Sequence, residues 1–570
     1  MPNRVSMLAM APLFAALVAC APVTPPSPRT GGEVPKPVID RTVVLVARAE
    51  VNTLAAKALA GNAFGAGGVV APFNATLEGN DVNGVPIPEL AVALPALRTD
   101  SWQIFPDGRM ETRYELKPSL TWHDGVPLTA RDFVFAWNVY ATPAFGLASS
   151  GALAVMQEIV APDDRTIVIR WRAPYPDAGA LTRNGLPPLP DHLLGQPFRE
   201  SDPATFVNHS FWIQDYVGLG PYKVARWEPG AFIEGTAFPG YVLGKPKIER
   251  MRIAFMGDVN TITANMLSGD VQFAWNYALG LEDGLNLEGR WEPVQGGTVR
   301  YFAELLRMTA FQLRPDLASP ALLLNPRVRE AIVHATDNDT AFQVITASKG
   351  LLSVAPMHPG DKFYAAAEKG TIHRAYDPRR ARQLLEEAGL VQGSDGIYRT
   401  AAGEPFSVEW SYILQQANQR ENEIFTAGLR DVGIQAVSRA FTAVDVRQPD
   451  VTKNYSGLSA VGSYGGKLDD YVTREVPSAE NRYNGRNTSG WTTPEYERLV
   501  ESFLTTLDAP ERADRVTAMV RIWSTEVPTF PNYWTPIVNA WSSKLTGVVE
   551  KRHLDGPPPI NSIHLWEWTS

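Results

Sequence analysis

Short β-rich apolar runs alternate along the chain with amphipathic segments that open on helix-capping residues. Val43-Val44-Leu45-Val46-Ala47 is an unbroken apolar run and predicts a buried strand. Trp102 and Ile104, the turn Pro106-Asp107-Gly108, and then Met110, Thr112, Tyr114 and Leu116 alternate with polar neighbours, which predicts a hairpin. Thr166 to Trp171, following Asp163-Asp164, predicts a further strand. Thr129-Ala130-Arg131-Asp132 has the form of a capping box, with Phe133, Ala136, Trp137 and Tyr140 on one helical face behind it. Asn325-Pro326, Asp377-Pro378 and Thr493-Pro494 each place a capping side chain before an N1 proline, and Gly389 stops the second of these helices. Strands and helices interspersed in this way indicate a mixed α/β or α+β protein, and no repeat of 20–50 residues is visible.

The first forty residues follow different rules. Arg4 is followed by an apolar stretch from Val5 to Val18 and then by Leu17-Val18-Ala19-Cys20, the form of a bacterial lipobox. The stretch is shorter than the ~20 residues a spanning helix needs, so cleavage is expected, with Cys20 acylated to anchor the chain to a membrane face. Residues 21–40 carry six prolines and few large apolar groups, so they predict an extended tether.

Composition narrows the chemistry. The 570 residues are enough for about three or four folding units. With 52 Lys+Arg against 61 Asp+Glu the net charge is −9, which argues against nucleic acid as partner. Cys20 is the sole cysteine, so no disulfide framework or multi-cysteine metal site exists. The sequence has no HExxH, CxxC or GxxxxGK[ST] motif, and its eight histidines are scattered, so no metal and no cofactor is indicated. Gly457-Leu458-Ser459 begins like a nucleophile elbow, but Val461 stands where the closing glycine belongs.

The run Trp122-His123-Asp124-Gly125-Val126-Pro127-Leu128-Thr129-Ala130-Arg131-Asp132-Phe133-Val134-Phe135-Ala136-Trp137 resembles the "W-x-DG-x-P-x-TA-x-DFVF-x-W" signature of the family 5 extracellular solute-binding proteins. That group holds the oligopeptide-, dipeptide- and nickel-binding components of ABC importers. Leu186 to Leu194, Gly218 to Val224 with Trp227 to Gly230, Asn325 to Ile332, Tyr376-Asp377-Pro378 with Ala388-Gly389-Leu390, and Asn487 to Tyr496 continue the resemblance in family order. It implies a bilobal α/β fold of the periplasmic-binding-protein class II type, with an extra inserted domain and a hinge between lobes. Carried onto this chain, residues 41–73, 207–299 and 535–570 would form lobe I, 74–206 the inserted domain and 300–534 lobe II, after a signal peptide at 1–20 and the tether at 21–40.

The resemblance also implies a function without bond chemistry. A small solute, a peptide or peptide-like molecule by family default, would be held between the lobes by a monomeric extracytoplasmic lipoprotein. Hinge closure would then present it to ABC permease subunits with cytoplasmic ATPases. Glu50, Trp275, Tyr277, Ser463, Tyr464, Gly465, Gly466 and Trp491 match the family's cleft stretches. Peptide-binding members carry an acidic residue in the cleft loop to pair a buried ammonium group. Here the loop reads Ser463-Tyr464-Gly465-Gly466-Lys467-Leu468-Asp469-Asp470, so either Asp469 or Asp470 takes that place or the two glycines offer bare backbone to a ligand without a free amine. The alternatives are a sensory receptor built on the same fold and an extracytoplasmic hydrolase, for which a nucleophile and base would have to converge in the cleft.

Overall fold

The apolar run at Val43 lies in a strand, Thr42–Ala47, in which Val43, Leu45 and Val46 are fully buried. The structure is a computed structural model that describes residues 42–569 apart from 60–65, 148–150, 182–184, 276 and 465–466. Cys20, the tether, Gly465 and Gly466 thus lie outside the described residues.

Thr42–Ala47 pairs in parallel with Arg250–Phe255 on one side and Phe273–Ala274 on the other. Phe232–Ala237 and Tyr222–Glu228 extend that sheet in antiparallel fashion beyond Arg250–Phe255. On the opposite flank run the two longest strands, Gly297–Phe311 and Thr529–Ser542, paired antiparallel over most of their length. One end of this ribbon joins Phe273–Ala274 through Trp541 and Ala540; its other end joins Leu458–Tyr464. Leu458–Tyr464 and Gln435–Phe441 both lie parallel to Ser407–Ile413, which completes the sheet.

A single sheet therefore passes through both lobes, and the two long strands are its crossing. The ladder is interrupted at that crossing. Ala303 pairs with Pro536 and Leu305 with Thr535, which leaves Glu304 without a partner in the ladder; a second shift between Arg307 and Met308 leaves Asn532 unopposed. Such bulges bend a ribbon and re-aim the extra side chain.

The hairpin at Trp102 forms as expected, Trp102–Ile104 against Met110–Glu115, and Thr166–Trp171 and Met156–Val160 complete a separate four-stranded antiparallel sheet. The helix Ala130–Tyr140 packs on it and opens on the capping box, with the Thr129 backbone N–H donating to Asp132 Oδ2 at 2.8 Å. Its buried Phe133 and Tyr140 belong to one continuous core with Val43, Leu45, Trp171 and Trp566, so this sheet and the first lobe pack as a unit. Each such side chain contributes about 1.5–3 kcal/mol by leaving water.

In the second lobe Asn325, Asp377 and Thr493 cap Pro326–His334, Pro378–Glu387 and Pro494–Thr505 through their side-chain oxygens. Leu384, Leu385, Trp410 and Phe425 share one core there; Trp491, Tyr496, Trp523 and Trp534 share another. Among the described residues no helix is long and apolar enough to cross a membrane, and no group of three or more His, Cys, Asp or Glu could hold a metal ion.

Candidate functional site

Ligands of open α/β sheets settle at the carboxyl ends of parallel strands. In the second lobe, Ile413, Phe441 and Ser463 at the ends of three such strands line a cavity of about 610 Å³. A larger cavity, about 1040 Å³, lies between the four-stranded unit and the second lobe. Tyr175 and Asp177 form one wall; Phe363, Lys467, Asp469 and Arg512 form the other. Lys467, Leu468 and Arg486 line both cavities, so these three residues form the partition between them.

Glu304, the bulged residue of the crossing, also lines the larger cavity, and its Oε2 lies 2.5 Å from Lys551 Nζ. Lys551 is almost fully buried and sits 4.2 Å from the centre of the Phe302 ring. Across the cavity Asp177 Oδ1 is 3.2 Å from both Lys362 Nζ and Arg512 Nη1. Burial alone would raise the Asp177 pKa, but these two cations outweigh it and hold the carboxyl below its ordinary value.

Asp470 behaves in the opposite way. It lines the smaller cavity, and its Oδ1 lies 3.0 Å from Arg486 Nη2 in an approach not aligned for a hydrogen bond. Burial pushes its pKa up to about 6 against the pull of Arg486, and Asp469 adds to the rise. The native state thus holds a proton on Asp470 that the unfolded chain has already released. Stability should fall as pH rises from about 4 to 6, by up to about 3 kcal/mol from this group. Asp470→Asn is expected to remove that slope and to raise stability at pH 7.5 by about 1–2 kcal/mol in urea titrations, the lost Arg486 attraction offsetting part of the gain. A variant less stable than the parent at pH 7.5 would mean that Arg486 outweighs burial.

The family model for bacterial extracellular solute-binding proteins, family 5 middle, matches residues 93–481, which include the four-stranded unit and most of the second lobe. The chain belongs to this family. A Brucella ovis relative named as a candidate ABC transporter peptide-binding protein is 26% identical over 304 residues, 52% of this chain and 53% of that protein. The match thus spans about half the length of that relative. The glutathione-binding protein GsiB of Pectobacterium atrosepticum is 25% identical over 462 residues, 79% of this chain and 82% of that protein. Among solved structures, NikZ from Campylobacter jejuni in complex with Ni(L-His) superposes with a TM-score of 0.72 at 19% identity, covering 93% of this chain and 100% of that one. That likeness establishes the bilobal fold.

The residues expected to form the cleft of this family 5 protein are dispersed. Ser463 lines the smaller cavity, and its neighbour Tyr464 pairs with Leu305 of the crossing strand. Glu50 follows the first strand, where its carboxylate accepts hydrogen bonds from Trp227 Nε1 at 2.6 Å and from the Gly230 backbone at 2.9 Å. It lines neither cavity. Tyr277 takes a left-handed backbone, φ +68°. Trp491 is 8% exposed, with its ring centre 5.0 Å from that of Tyr496. Trp275 is 2% exposed, tilted against Phe273 at 5.6 Å, and Gly68 lies over its edge.

A methyl group built on Gly68 would come 1.8 Å from Trp275 Nε1, so only glycine fits beside the indole in this pose. Gly68→Ala should therefore lower stability by about 1–3 kcal/mol in a denaturant titration, with a change in the near-ultraviolet signal of tryptophan. An unchanged melting curve would show that the ring can swing aside. Sequence reasoning passed over Tyr175, Asp177, Arg486 and Arg512. Nothing local marks them, since Asp177 and Arg512 meet across 335 positions.

Proposed function

We propose that this protein captures a peptide or peptide-like solute outside the cytoplasm and delivers it to the permease of an ABC importer, without making or breaking a bond. The observation that carries this reading is the cavity of about 1040 Å³ between the two lobes, spanned by the Asp177 ion pairs and reached from the crossing strands by the bulged Glu304. A ligand that touches both walls favours the closed state by its differential affinity for it. The names of the relatives, peptide-binding in Brucella and glutathione-binding in Pectobacterium, support a peptide-like solute.

In this reading lobe I comprises 41–73, 207–299 and 535–570, the inserted domain 74–206, and lobe II 300–534. Asp469, which lines the larger cavity, or Asp470, which lines the smaller one behind the partition and is paired with Arg486, would meet the ammonium group of a peptide. The ligand backbone would then run along Ser463 to Gly466, with Glu50, Trp275, Tyr277 and Trp491 shaping or supporting the walls. Acylated Cys20 and the proline-rich tether would hold this body at the membrane surface, and the protein would act as a monomer.

Mass spectrometry of gently extracted mature protein, native and then denatured, tests the reading together with a thermal-shift screen of peptides, sugars and metal chelates. A co-purifying peptide and a peptide-specific shift are expected, along with an N-terminal lipid mass on Cys20. A response confined to sugars or chelates would overturn the peptide assignment, and an unmodified chain retaining residues 1–20 would overturn the anchor.

A further inference from the structure

The cavity of about 610 Å³ in the second lobe holds more positive charge than its own lining balances. Among the described residues, four cations line it, Arg307, Lys453, Lys467 and Arg486, against one carboxyl group, that of Asp470. Two of the four are already matched. Arg307 is bound by Glu421, and Arg486 lies 3.0 Å from Asp470 Oδ1 and 3.5 Å from Glu475 Oε2. Lys467 is exposed, so water screens its charge. Lys453 differs from all three. It is partly buried, burial alone lowers its pKa, and its ammonium group has no carboxylate and no hydrogen-bond partner among the described residues. An ammonium group withdrawn from water without a counter-ion costs stability, and an anion that enters the cavity removes that cost.

The backbone beneath Lys453 is clamped. Its carbonyl accepts from Arg314 Nη2, while Arg314 Nη1 donates to Asn454 Oδ1 at 2.9 Å and to the Pro477 carbonyl at 3.2 Å. Two residues on, the Tyr455 carbonyl accepts from Gln312 Nε2 at 2.8 Å, and Gln312 Oε1 accepts from Arg314 Nε at 3.0 Å. Gly490 leaves room for this guanidinium stem, since a Cβ there would come 2.3 Å from Arg314 Cγ. The Lys453 side chain therefore starts from a rigid point, and less ordering is needed when an anion arrives. Hydrocarbon surrounds it: Ile413 and Val446 are each 42% exposed, and the buried Phe441 lines the same wall. Ser463, along which the ligand backbone runs in the proposed function, lines this cavity as well. A group leaving that backbone thus enters without crossing the partition at Lys467, Leu468 and Arg486.

We infer that the captured solute is an acidic peptide and that Lys453 receives its carboxylate in this cavity, either from an Asp or Glu side chain or from the free carboxyl terminus. The inference rests on the peptide reading above and adds a charge class to it. The carboxylate accepts from the Lys453 ammonium group, the methylenes beside it lie against Phe441, Ile413 and Val446, and the exposed Lys467 attracts the anion during entry.

Retention of tripeptides by the full mature chain, read by mass spectrometry after rapid gel filtration, tests the site. One pool is built from Ala, Gly, Leu, Phe and Ser with a free carboxyl terminus, a second is the same pool amidated, and a third is amidated with Glu included. The first or the third should be retained at least about tenfold over the neutral second pool, and which of them is retained tells terminus from side chain. Lys453→Met should abolish that preference and leave retention of the neutral pool unchanged, whereas Lys453→Arg should keep it. In the ligand-free protein the methionine variant should unfold at the same or a higher urea concentration than the parent, because an unpaired buried charge is gone. Lys453→Gln serves if the methionine variant fails to fold. Retention of none of the pools would overturn the peptide reading and this inference together. Equal retention of all three, or an unchanged preference in a folded Lys453→Met or Lys453→Gln variant, would overturn this inference alone.

Discussion

Replacing Glu421 by leucine is expected to cost the protein about 3–5 kcal/mol of stability, because it leaves a buried guanidinium without its carboxylate. Glu421 lies on the helix Gln416–Asp431 and is 3% exposed. Its carboxylate receives Arg307 Nε at 3.2 Å, a second bond from Arg307 Nη2, and the hydroxyl of Tyr533. Arg307 and Tyr533 are register partners on the two crossing strands, next to the second bulge, so one carboxylate pins both strands to a helix of the second lobe. Burial disfavours the charge on Arg307, but Glu421 more than offsets this and its pKa stands above the ordinary value; burial and Glu421 both raise that of Tyr533. Urea titration at pH 7 measures the loss. Adding Arg307→Met and Tyr533→Phe to the leucine variant should restore most of it, since the cost lies in the orphaned charge and not in the absent pair. A loss below about 1 kcal/mol would mean that Arg307 regains water through the cavity of about 610 Å³ that it lines.

The contrast between that triad and the helix caps shows what could be read in advance. Thr129 with Asp132, and Asn325, Asp377 and Thr493, are local signals: Asp132 accepts from the Thr129 N–H three residues back, and each of the other three side chains accepts from an N–H two or three residues ahead. Gly389, with φ +87°, is equally local. The hairpin at Trp102 was legible for the same reason, because one face is wet and alternation survives. The crossing strands were not. Thr529–Ser542 is buried on nearly every residue, so it shows no alternation, and the bulges at Glu304 and Asn532 break whatever register Gly297–Phe311 would have displayed. The role of the candidate cleft residues is not legible in sequence for a related reason. An aromatic such as Trp275 or Trp491 reads identically whether it faces core or solute, and the partners of Glu50 lie 177 and 180 residues away in the chain. Family motifs located the loop from Ser463 to Asp470, yet only the fold reveals that Lys467 and Leu468 stand between two cavities.

Asp177→Lys should open the cleft. Arg512 is 7% exposed, its guanidinium 4.4 Å from the centre of the Phe503 ring and 5.2 Å from that of Phe363, so the aromatic pair fixes the cation that Asp177 meets. The contact joins the four-stranded unit to the long helix Ala509–Glu526 of the second lobe, and Lys362 adds a second cation to the same carboxylate. Reversing the charge at 177 would place three cations together at the mouth of the cavity, where attraction becomes repulsion. A change of about 1.4 kcal/mol shifts the ratio of closed to open molecules tenfold, and the reversal should exceed it. The radius of gyration from small-angle scattering should rise, and the affinity for whatever solute the thermal-shift screen identifies should fall by at least about tenfold. The global unfolding midpoint should move little, because Asp177 belongs to none of the apolar cores. Acid provides an independent route to the same state. The Asp177 pKa is depressed, so the attraction is complete above the ordinary carboxylate range and is lost as pH falls through the lower folded-state value. The parent should therefore expand on acidification below about pH 4, and Asp177→Asn, already without the charge, should show no such expansion from this contact. Unchanged scattering and affinity in the lysine variant would show that the two lobes close without this contact and that the bulged crossing strands alone set the angle between them.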